Sequence, residues 1–190
     1  AVKTASKLGV TVSCDINYRK KLWTKEKANK VMSELMQYVD VAIGNEEDAH
    51  DVFGISAGGS DVTKGELCEE GYREVAKKLK DTFNLKGVGI TLRESFSAFD
   101  NGWSALYYDG NEYYRSKRYD IHIVDRVGGG DSFGSGLIYA LCNDYAPQDA
   151  VEFAVAASCL KHTISGDLNH VNLKEVQTLM KGDASGRVQR

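Results

Sequence analysis

The sequence predicts an α/β fold with a largely parallel sheet, because short apolar runs alternate with longer amphipathic stretches along the chain. The amphipathic stretches have helical periodicity: Ala28, Val31, Met32 and Leu35 fall at i, i+3, i+4 and i+7. The composition agrees with one packed domain, since 42% of the 190 residues are hydrophobic and only one is proline. Ligands of such folds bind beyond the carboxyl ends of the strands, so polar residues there are candidates for a functional site.

The first half of the chain is predicted to build most of the parallel sheet. Strands are predicted at residues 9–16, 39–43 and 88–92. Thr24 suits the N-cap of one helix, and Asn45 suits the N-cap of another that begins with the acidic residues 46–48. A third helix is predicted over residues 72–83, after a surface loop at residues 56–65.

The second half of the chain adds a hairpin and three helices. A hairpin is predicted over residues 104–116, with a turn at the Asp-Gly-Asn sequence, followed by a strand at residues 119–125. Helices are predicted at residues 132–141, 148–162 and 173–180, the last capped by Asn172. We therefore expect one domain over residues 1–181 and a flexible tail at residues 182–190.

Charge and composition exclude several classes of function. The net charge of −3 gives no electrostatic reason to expect a nucleic-acid partner. No apolar run approaches the ~18 residues of a membrane span, so no membrane partner is predicted. The four cysteines form no CxxC pair, which favours reduced thiols and a cytoplasmic location, and the four histidines lack the spacing of a zinc site.

The most informative segment is VDRVGGGDSFGSG, residues 124–136, which lies between a predicted strand and a predicted helix. Three glycines, Gly128, Gly129 and Gly130, allow backbone N–H groups to converge at the helix N-terminus, which favours anion binding. Asp131 follows directly, and a carboxylate beside an anion pocket suits a base for phosphoryl transfer. The segment lacks the Lys-Ser or Lys-Thr of a Walker A loop. A tight turn with Asp at a helix start is the alternative interpretation.

Residues 125–136 resemble the C-terminal signature of the ribokinase/PfkB carbohydrate kinases. Four positions match the signature: Asp125, Gly128, Gly130 and Asp131. Arg126 and Gly129 replace the commoner Thr and Ala. Within the family, this segment is most similar to the bacterial members that phosphorylate 2-dehydro-3-deoxygluconate. Two further segments share that similarity: CDINYRKKLW (residues 14–23) and LKHTISGDLN (residues 160–169).

The resemblance implies a ribokinase-like three-layer α/β/α sandwich that uses ATP and Mg²⁺. It implies that Asp131 takes the proton from the attacking sugar hydroxyl, while the amides of Gly128, Gly129 and Gly130 stabilise charge on the transferred phosphoryl group. Asp125 matches a position that helps hold a monovalent cation such as K⁺ in several members, and the departure at Arg126 leaves that cation open.

The same resemblance assigns a substrate side to the predicted site. Asp15, Asn17 and Arg19 alternate at the end of a strand and so share one face. In the family this stretch lies by the sugar and phosphates, where Arg19 could hold the carboxylate of a sugar acid. A surface arginine paired with Asp15 is the alternative.

The nucleotide side is predicted from the resemblance in the same way. Asn45 and Asp48 match an element that organises Mg²⁺, with Asp48 in place of the family's Glu; helix capping is the alternative for both. Further positions assigned to the nucleotide are Thr91, Arg93, Gly128, Gly130, Ala157 and His162. For a single alanine or histidine, ordinary helix packing is the alternative.

The expected activity is ATP-dependent phosphorylation of 2-dehydro-3-deoxy-D-gluconate to its 6-phosphate. Family chains are longer and begin with strands that supply a lid and much of the sugar pocket, so this chain corresponds to the C-terminal, ATP-side portion. Two alternatives stay open: a nucleotide-binding fragment without catalysis, and a kinase for another sugar such as fructose or ribose. Absent sheet partners would expose apolar edges, which favours a homo-oligomer.

Overall fold

The computed structural model describes residues 1–57 and 69–182. Most of the predicted loop at residues 56–65, and residues 183–190 of the predicted tail, lie outside this part of the chain. The helices are α1 (Val2–Lys7), α2 (Lys25–Met36), α3 (Glu46–Phe53), α4 (Glu69–Phe83), α5 (Gly129–Cys142), α6 (Pro147–His162) and α7 (Leu173–Met180). The strands are β1 (Ser13–Asp15), β2 (Val41–Gly44), β3 (Gly87–Ser95), β4 (Asp100–Tyr108), β5 (Tyr113–Arg115) and β6 (Tyr119–His122).

The strands form one mixed sheet in the order β1-β2-β3-β4-β5, with β6 also paired to β4. β1, β2 and β3 are parallel neighbours, whereas β4 is antiparallel to β3, β5 and β6. The carboxyl ends of the parallel strands meet at one edge of the sheet, where the fold class predicts the site. The predicted α/β fold is confirmed.

Helices cover both faces of the sheet, because buried strand residues alternate between two cores. Ala42, Val88 and Ile90 pack into the core formed with α2, α3 and α4. Val41 and Ile43, on the opposite face of β2, pack into the core formed with α5, α6 and α7. The period of two along a strand thus produces the predicted α/β/α sandwich.

Three helices begin at side-chain caps that the sequence predicts. The Thr24 hydroxyl accepts a hydrogen bond from the Lys27 amide at 3.3 Å. Asn45 and Asn172 each form a capping box with the acidic residue three positions later. These local contacts satisfy amides that a helix N-terminus leaves without partners, so they fix where α2, α3 and α7 start.

Some element bounds and faces differ from the prediction. β1 spans Ser13–Asp15, because its pairing with β2 covers three residues and no other described strand pairs with it. β3 continues to Ser95, since β4 pairs with it along its length. Val31 and Leu35, expected on the buried face of α2, are each 37% exposed. In the described part of the chain, no helix combines the length and apolarity needed to cross a bilayer.

Candidate functional site

Close packing explains two of the three glycines at the start of α5. Gly128 is the N-cap with φ 79°, a left-handed conformation, and a Cβ there would lie 2.7 Å from the Asp167 carbonyl oxygen. A Cβ on Gly129 would lie 2.5 Å from the His162 ring. Gly130 differs, because a Cβ there would meet nothing within 4 Å. The loop is therefore packed against the protein at Gly128 and Gly129 and accessible at Gly130.

The first turn of α5 presents backbone donors to this accessible side. The Gly129 amide donates to the Arg126 carbonyl at 3.3 Å, and the Ser132 amide donates to the Gly128 carbonyl at 2.8 Å. The amides of Gly130 and Asp131 donate to no acceptor in the described part of the chain. Two amides and the positive end of the helix dipole form a site suited to an anion.

The Asp131 side chain is exposed in the first turn of α5. Within the described residues it accepts no hydrogen bond and joins no ion pair, and α5 has no side-chain cap. Its negative charge raises the pKa of Asp15, a residue at the end of β1. The carboxylate thus stands next to the anion-binding amides and is available to accept a proton.

Asp15 lies among charged groups contributed by three elements. Withdrawal from water raises the pKa of Asp15 to about 6, and the carboxylates of Asp48 and Asp131 add to the effect. A hydrogen bond from the Asn17 amide and the positive charge of Arg19 oppose it. The fold therefore brings together Asp15, Arg19 and Asp131, which sequence analysis predicted as one substrate site.

The segment after β1 is held in place by α3. The Tyr18 amide donates to Oδ1 of Asp48 at 3.0 Å, and the Asn45 amide donates to Oδ2 of Asp48 at 3.4 Å. Asn17 has φ 40°, a left-handed conformation that Asn adopts more readily than most residues. Arg19 is exposed and donates one hydrogen bond, to the Tyr18 carbonyl at 3.0 Å. The capping carboxylate of α3 thereby positions the predicted substrate segment.

Asn45 and Asp48, predicted to organise Mg²⁺, act in this structure as a reciprocal cap. The Asn45 side chain accepts from the Asp48 amide at 2.8 Å, and Asp48 is 8% exposed. Burial raises the pKa of Asp48, and the bonds from Tyr18 and Asn45 lower it in part. With both carboxylate oxygens bound to amides, the geometry suits contact with a hydrated ion through water better than direct coordination.

Thr91 and Arg93 occupy the carboxyl half of β3, close to the start of α3. Thr91 is half-buried, and Arg93 is exposed. Burial raises the pKa of Glu46 at the first position of α3, while the positive charge of Arg93 lowers it in part. The two predicted nucleotide positions on β3 therefore lie at the same edge of the sheet as the cap of α3.

Ala157 and His162, predicted to line the nucleotide site, are buried on α6, which packs against α5. His162 is 3% exposed, its Nδ1 lies 2.7 Å from the Ser158 carbonyl, and its ring packs edge-on against Trp103. Burial lowers the pKa of His162. Ala157 is buried against Gly136 of α5, 3.3 Å from where a Cβ would lie. His162 packs against Gly129 of the loop, and Ala157 packs against Gly136 farther along α5. The assignment of both residues to the nucleotide stays a prediction.

Asp125 and Arg126 tie the glycine loop to two other loops. The carboxylate of Asp125 accepts from the Val127 amide at 3.0 Å and from the Gly166 amide at 2.8 Å, and these bonds lower its pKa. The Arg126 guanidinium donates to the Ala98 carbonyl at 2.6 Å, in the β3–β4 turn. The predicted metal residues thus fall at two places, Asn45 and Asp48 at α3 and Asp125 at the loop. Over residues 1–57 and 69–182, no group of three or more His, Cys, Asp or Glu side chains could hold a metal ion.

Two further residues of α6 contact this loop, and sequence analysis had given Lys161 no role and Ser158 only a place among small residues resembling the family's adenine-side wall. Ser158 donates its hydroxyl to the Gly129 carbonyl at 2.8 Å, and Lys161 is fully buried beside Gly128. A signal was present: Ala154, Ser158 and Lys161 follow at helical spacing, so Lys161 continues a face of small residues. A lysine on such a face indicates a buried ammonium group with backbone acceptors.

Comparison with known proteins gives the class to which this fold and site correspond. Residues 1–172 match the pfkB family of carbohydrate kinases, and the chain belongs to that family. The ribokinase-like fold is shared with many solved structures. The resemblance on which the site prediction was based is therefore confirmed, whereas the roles of individual residues stay predictions.

Three relatives illustrate this membership of the family. The chain is 50% identical to the 2-dehydro-3-deoxygluconokinase of Thermotoga maritima, whose crystal structure matches with TM-score 0.89 over 96% of this chain and 53% of that one. It is 26% identical to the 2-dehydro-3-deoxygalactonokinase of Haloferax volcanii, covering 97% of this chain and 52% of that protein. A ribokinase II candidate from Escherichia coli, solved with ATP and Mg²⁺, shares the fold at TM-score 0.71 and 20% identity, covering 95% of this chain and 51% of that one. The chain spans about half the length of these relatives.

Proposed function

We propose that this chain supplies the ATP side of a kinase that phosphorylates 2-dehydro-3-deoxy-D-gluconate to its 6-phosphate. The observation that carries the proposal is the exposed Asp131 carboxylate beside the Gly130 and Asp131 amides at the start of α5. In this role Asp131 accepts the proton of the attacking hydroxyl, and the amides stabilise the charge that develops on the transferred phosphoryl group.

The substrate class is proposed from Arg19 and from the relatives. Arg19 is exposed near Asp15 and Asp48 and donates from one guanidinium nitrogen, so its other donors can bind a carboxylate by two parallel hydrogen bonds. A sugar acid offers such a group, whereas fructose and ribose do not. Asp15 and Asn17 would then bind hydroxyls of the same ligand.

The nucleotide is proposed to lie over the edge formed by α3, β3 and the start of α5. Thr91 and Arg93 would contact it directly, while Ala157 and His162 would shape the loop from behind. Mg²⁺ would be held through its own water molecules near Asn45 and Asp48 and would neutralise phosphate charge. Of the three predicted glycine amides, those of Gly128 and Gly130 would complete the anion site in this proposal, whereas the Gly129 amide already donates to the Arg126 carbonyl.

The test is coupled ADP release by the whole protein with Mg-ATP and a panel of acceptors. The panel contains 2-dehydro-3-deoxygluconate, its galacto epimer, fructose and ribose. We expect the highest kcat/KM with 2-dehydro-3-deoxygluconate, and Arg19→Ala should raise the KM for the acid by about 10-fold or more. Preference for fructose or ribose would contradict the sugar-acid assignment. Binding of Mg-ATP without ADP release for any sugar would favour the nucleotide-binding alternative.

A further inference from the structure

Lys161, in the last turn of α6, carries a positive charge that has no role in the proposed function above. Its side chain is fully buried. Nζ donates to the carbonyl of Gly166 at 2.7 Å and to the carbonyl of Ile164 at 3.2 Å. Within the described part of the chain, no ion pair includes Lys161. A buried ammonium without a paired carboxylate is costly, so its retention requires a compensating role.

The ammonium lies directly under the glycine loop. A Cβ on Gly128 would come within 3.2 Å of Cε of Lys161, the carbon that carries Nζ, so the ammonium group lies close to the N-cap of α5. The same Cβ would come within 2.7 Å of the Asp167 carbonyl oxygen. The loop at residues 164–167 is thus fixed beneath Gly128, with Lys161 at its centre.

The surroundings of Lys161 are those of a monovalent cation. Backbone carbonyls are its hydrogen-bond acceptors, and the nearby carboxylate of Asp125 feels its positive charge. Gly166 connects the two, since its amide donates to Asp125 and its carbonyl accepts from Lys161. Asp125 was predicted to help hold K⁺. Its two oxygens instead accept backbone amides, and the carbonyls beside it already bind an ammonium group.

We propose that the Lys161 ammonium is a built-in monovalent cation that positions the loop at residues 164–167 under Gly128 and adds positive charge beneath the anion-binding amides. The proposal rests on the proposed kinase function. Lys161 is a positioning residue in this proposal, because it is fully buried and acts through the carbonyls of Ile164 and Gly166. A fixed positive charge in a water-poor site attracts the developing phosphoryl charge more strongly than a solvated ion would. The reaction then needs no K⁺.

The first measurement uses the unmodified whole protein. Initial rates are compared in tetramethylammonium chloride, which is too large for the site, and in potassium chloride at equal ionic strength. We expect equal rates within about 2-fold, because the cation is already covalently present. A rise in kcat of about 10-fold or more with K⁺ would overturn the proposal, and this result does not depend on any variant folding.

The second measurement uses Lys161→Met, which keeps the aliphatic volume and removes the charge. We expect kcat to fall by about 10-fold or more in tetramethylammonium with a smaller change in the KM for ATP, and ammonium chloride to restore part of the loss. Lys174→Met, on the exposed face of α7, is the matched control and should change neither parameter. Normal turnover of Lys161→Met without added cations would overturn the proposal, and so would a loss that no small cation reduces.

A readout independent of activity separates this proposal from the kinase assignment. In thermal unfolding, we expect ammonium to stabilise Lys161→Met relative to tetramethylammonium and to leave the unmodified protein unchanged. If no sugar is phosphorylated, the proposed function fails, but the thermal-unfolding comparison still shows whether Lys161 occupies the place of a monovalent cation. Equal responses of the two proteins to ammonium would overturn the cation role.

Discussion

The N-termini of α3 and α5 carry the same residue at the same helical position and use it differently. Asp48 and Asp131 are both the third residue of their helices. Asp48 is buried, and both of its oxygens accept backbone amides. Asp131 is exposed and accepts none in the described part of the chain. One carboxylate stabilises the fold, and the other is available for chemistry.

The N-cap residue explains the difference. Asn45 has an extended backbone and a side chain that accepts from the Asp48 amide, so the capping box closes on itself. Gly128 has a left-handed backbone and no side chain, so no side chain caps the first turn of α5, and the Gly130 and Asp131 amides donate to no acceptor in the described part of the chain. A glycine N-cap therefore leaves the donors and the carboxylate of one helix end exposed to a ligand.

The largest effect is expected when the exposed Asp131 carboxylate is removed as a proton acceptor. Asp131→Asn in the whole protein should lower kcat by at least about 10²-fold, because the proton acceptor is removed while the shape is kept. Coupled ADP release measures kcat, and calorimetric titration with Mg-ATP checks that nucleotide binding persists. Asp149→Asn is the control, since Asp149 is an exposed aspartate at the third position of α6. Turnover within a few-fold of the unmodified protein would remove Asp131 from the role of base.

The second test separates the buried and accessible sides of the glycine loop. Gly129→Ala would place a methyl group 2.5 Å from the buried His162 ring, so we expect a loss of about 1–3 kcal/mol in the free energy of unfolding. In Gly130→Ala the added methyl group would meet no atom within 4 Å, so the free energy of unfolding should not fall. Denaturant unfolding of both variants measures the difference. Equal stability losses would show that both glycines face the protein interior.

The third test concerns Asp48, whose carboxylate forms the capping box of α3. Asp48→Ala removes the acceptor of the Tyr18 and Asn45 amides and should cost about 2 kcal/mol of unfolding free energy. Asp149→Ala removes an exposed acid at the equivalent position and should cost less than about 1 kcal/mol. Chemical denaturation compares the two variants. An unchanged stability of Asp48→Ala, with weaker Mg-ATP binding, would favour the metal interpretation instead.

Local features of the fold followed from the sequence because their causes are local. The caps at Thr24, Asn45 and Asn172 depend on residues within one turn, and all three form as predicted. The buried face of α4 follows from helical spacing alone, since its buried residues fall at i, i+1, i+4 and i+8: Val75, Ala76, Leu79 and Phe83. Strand lengths were less accurate, since β1 and β3 end where their partners end.

The site was predictable by residue type and less so by orientation. A motif placed Asp131 and the glycines at a helix start, and the structure agrees. The motif could not show that the His162 ring lies behind Gly129 or that Lys161 is buried under Gly128, because α6 reaches the loop only through tertiary packing. Burial decided the outcome at these positions, and burial is a property of the whole fold.

The smallest expected effect tests whether Asp15 belongs to the same charged cluster as Asp131. The pKa of Asp15 is about 6 in the folded state against an ordinary 3.8, so the folded state binds more protons than the unfolded state between these pH values. Stability contributed by Asp15 is therefore present at low pH and lost as pH rises through about 6. Asp15→Asn should flatten this decline and increase stability at neutral pH, as measured by urea midpoints across the range. In Asp131→Asn, NMR titration should show a lower pKa for Asp15, because one neighbouring negative charge is gone. An unchanged Asp15 titration would separate the two carboxylates, and with them the substrate segment after β1 from the base on α5.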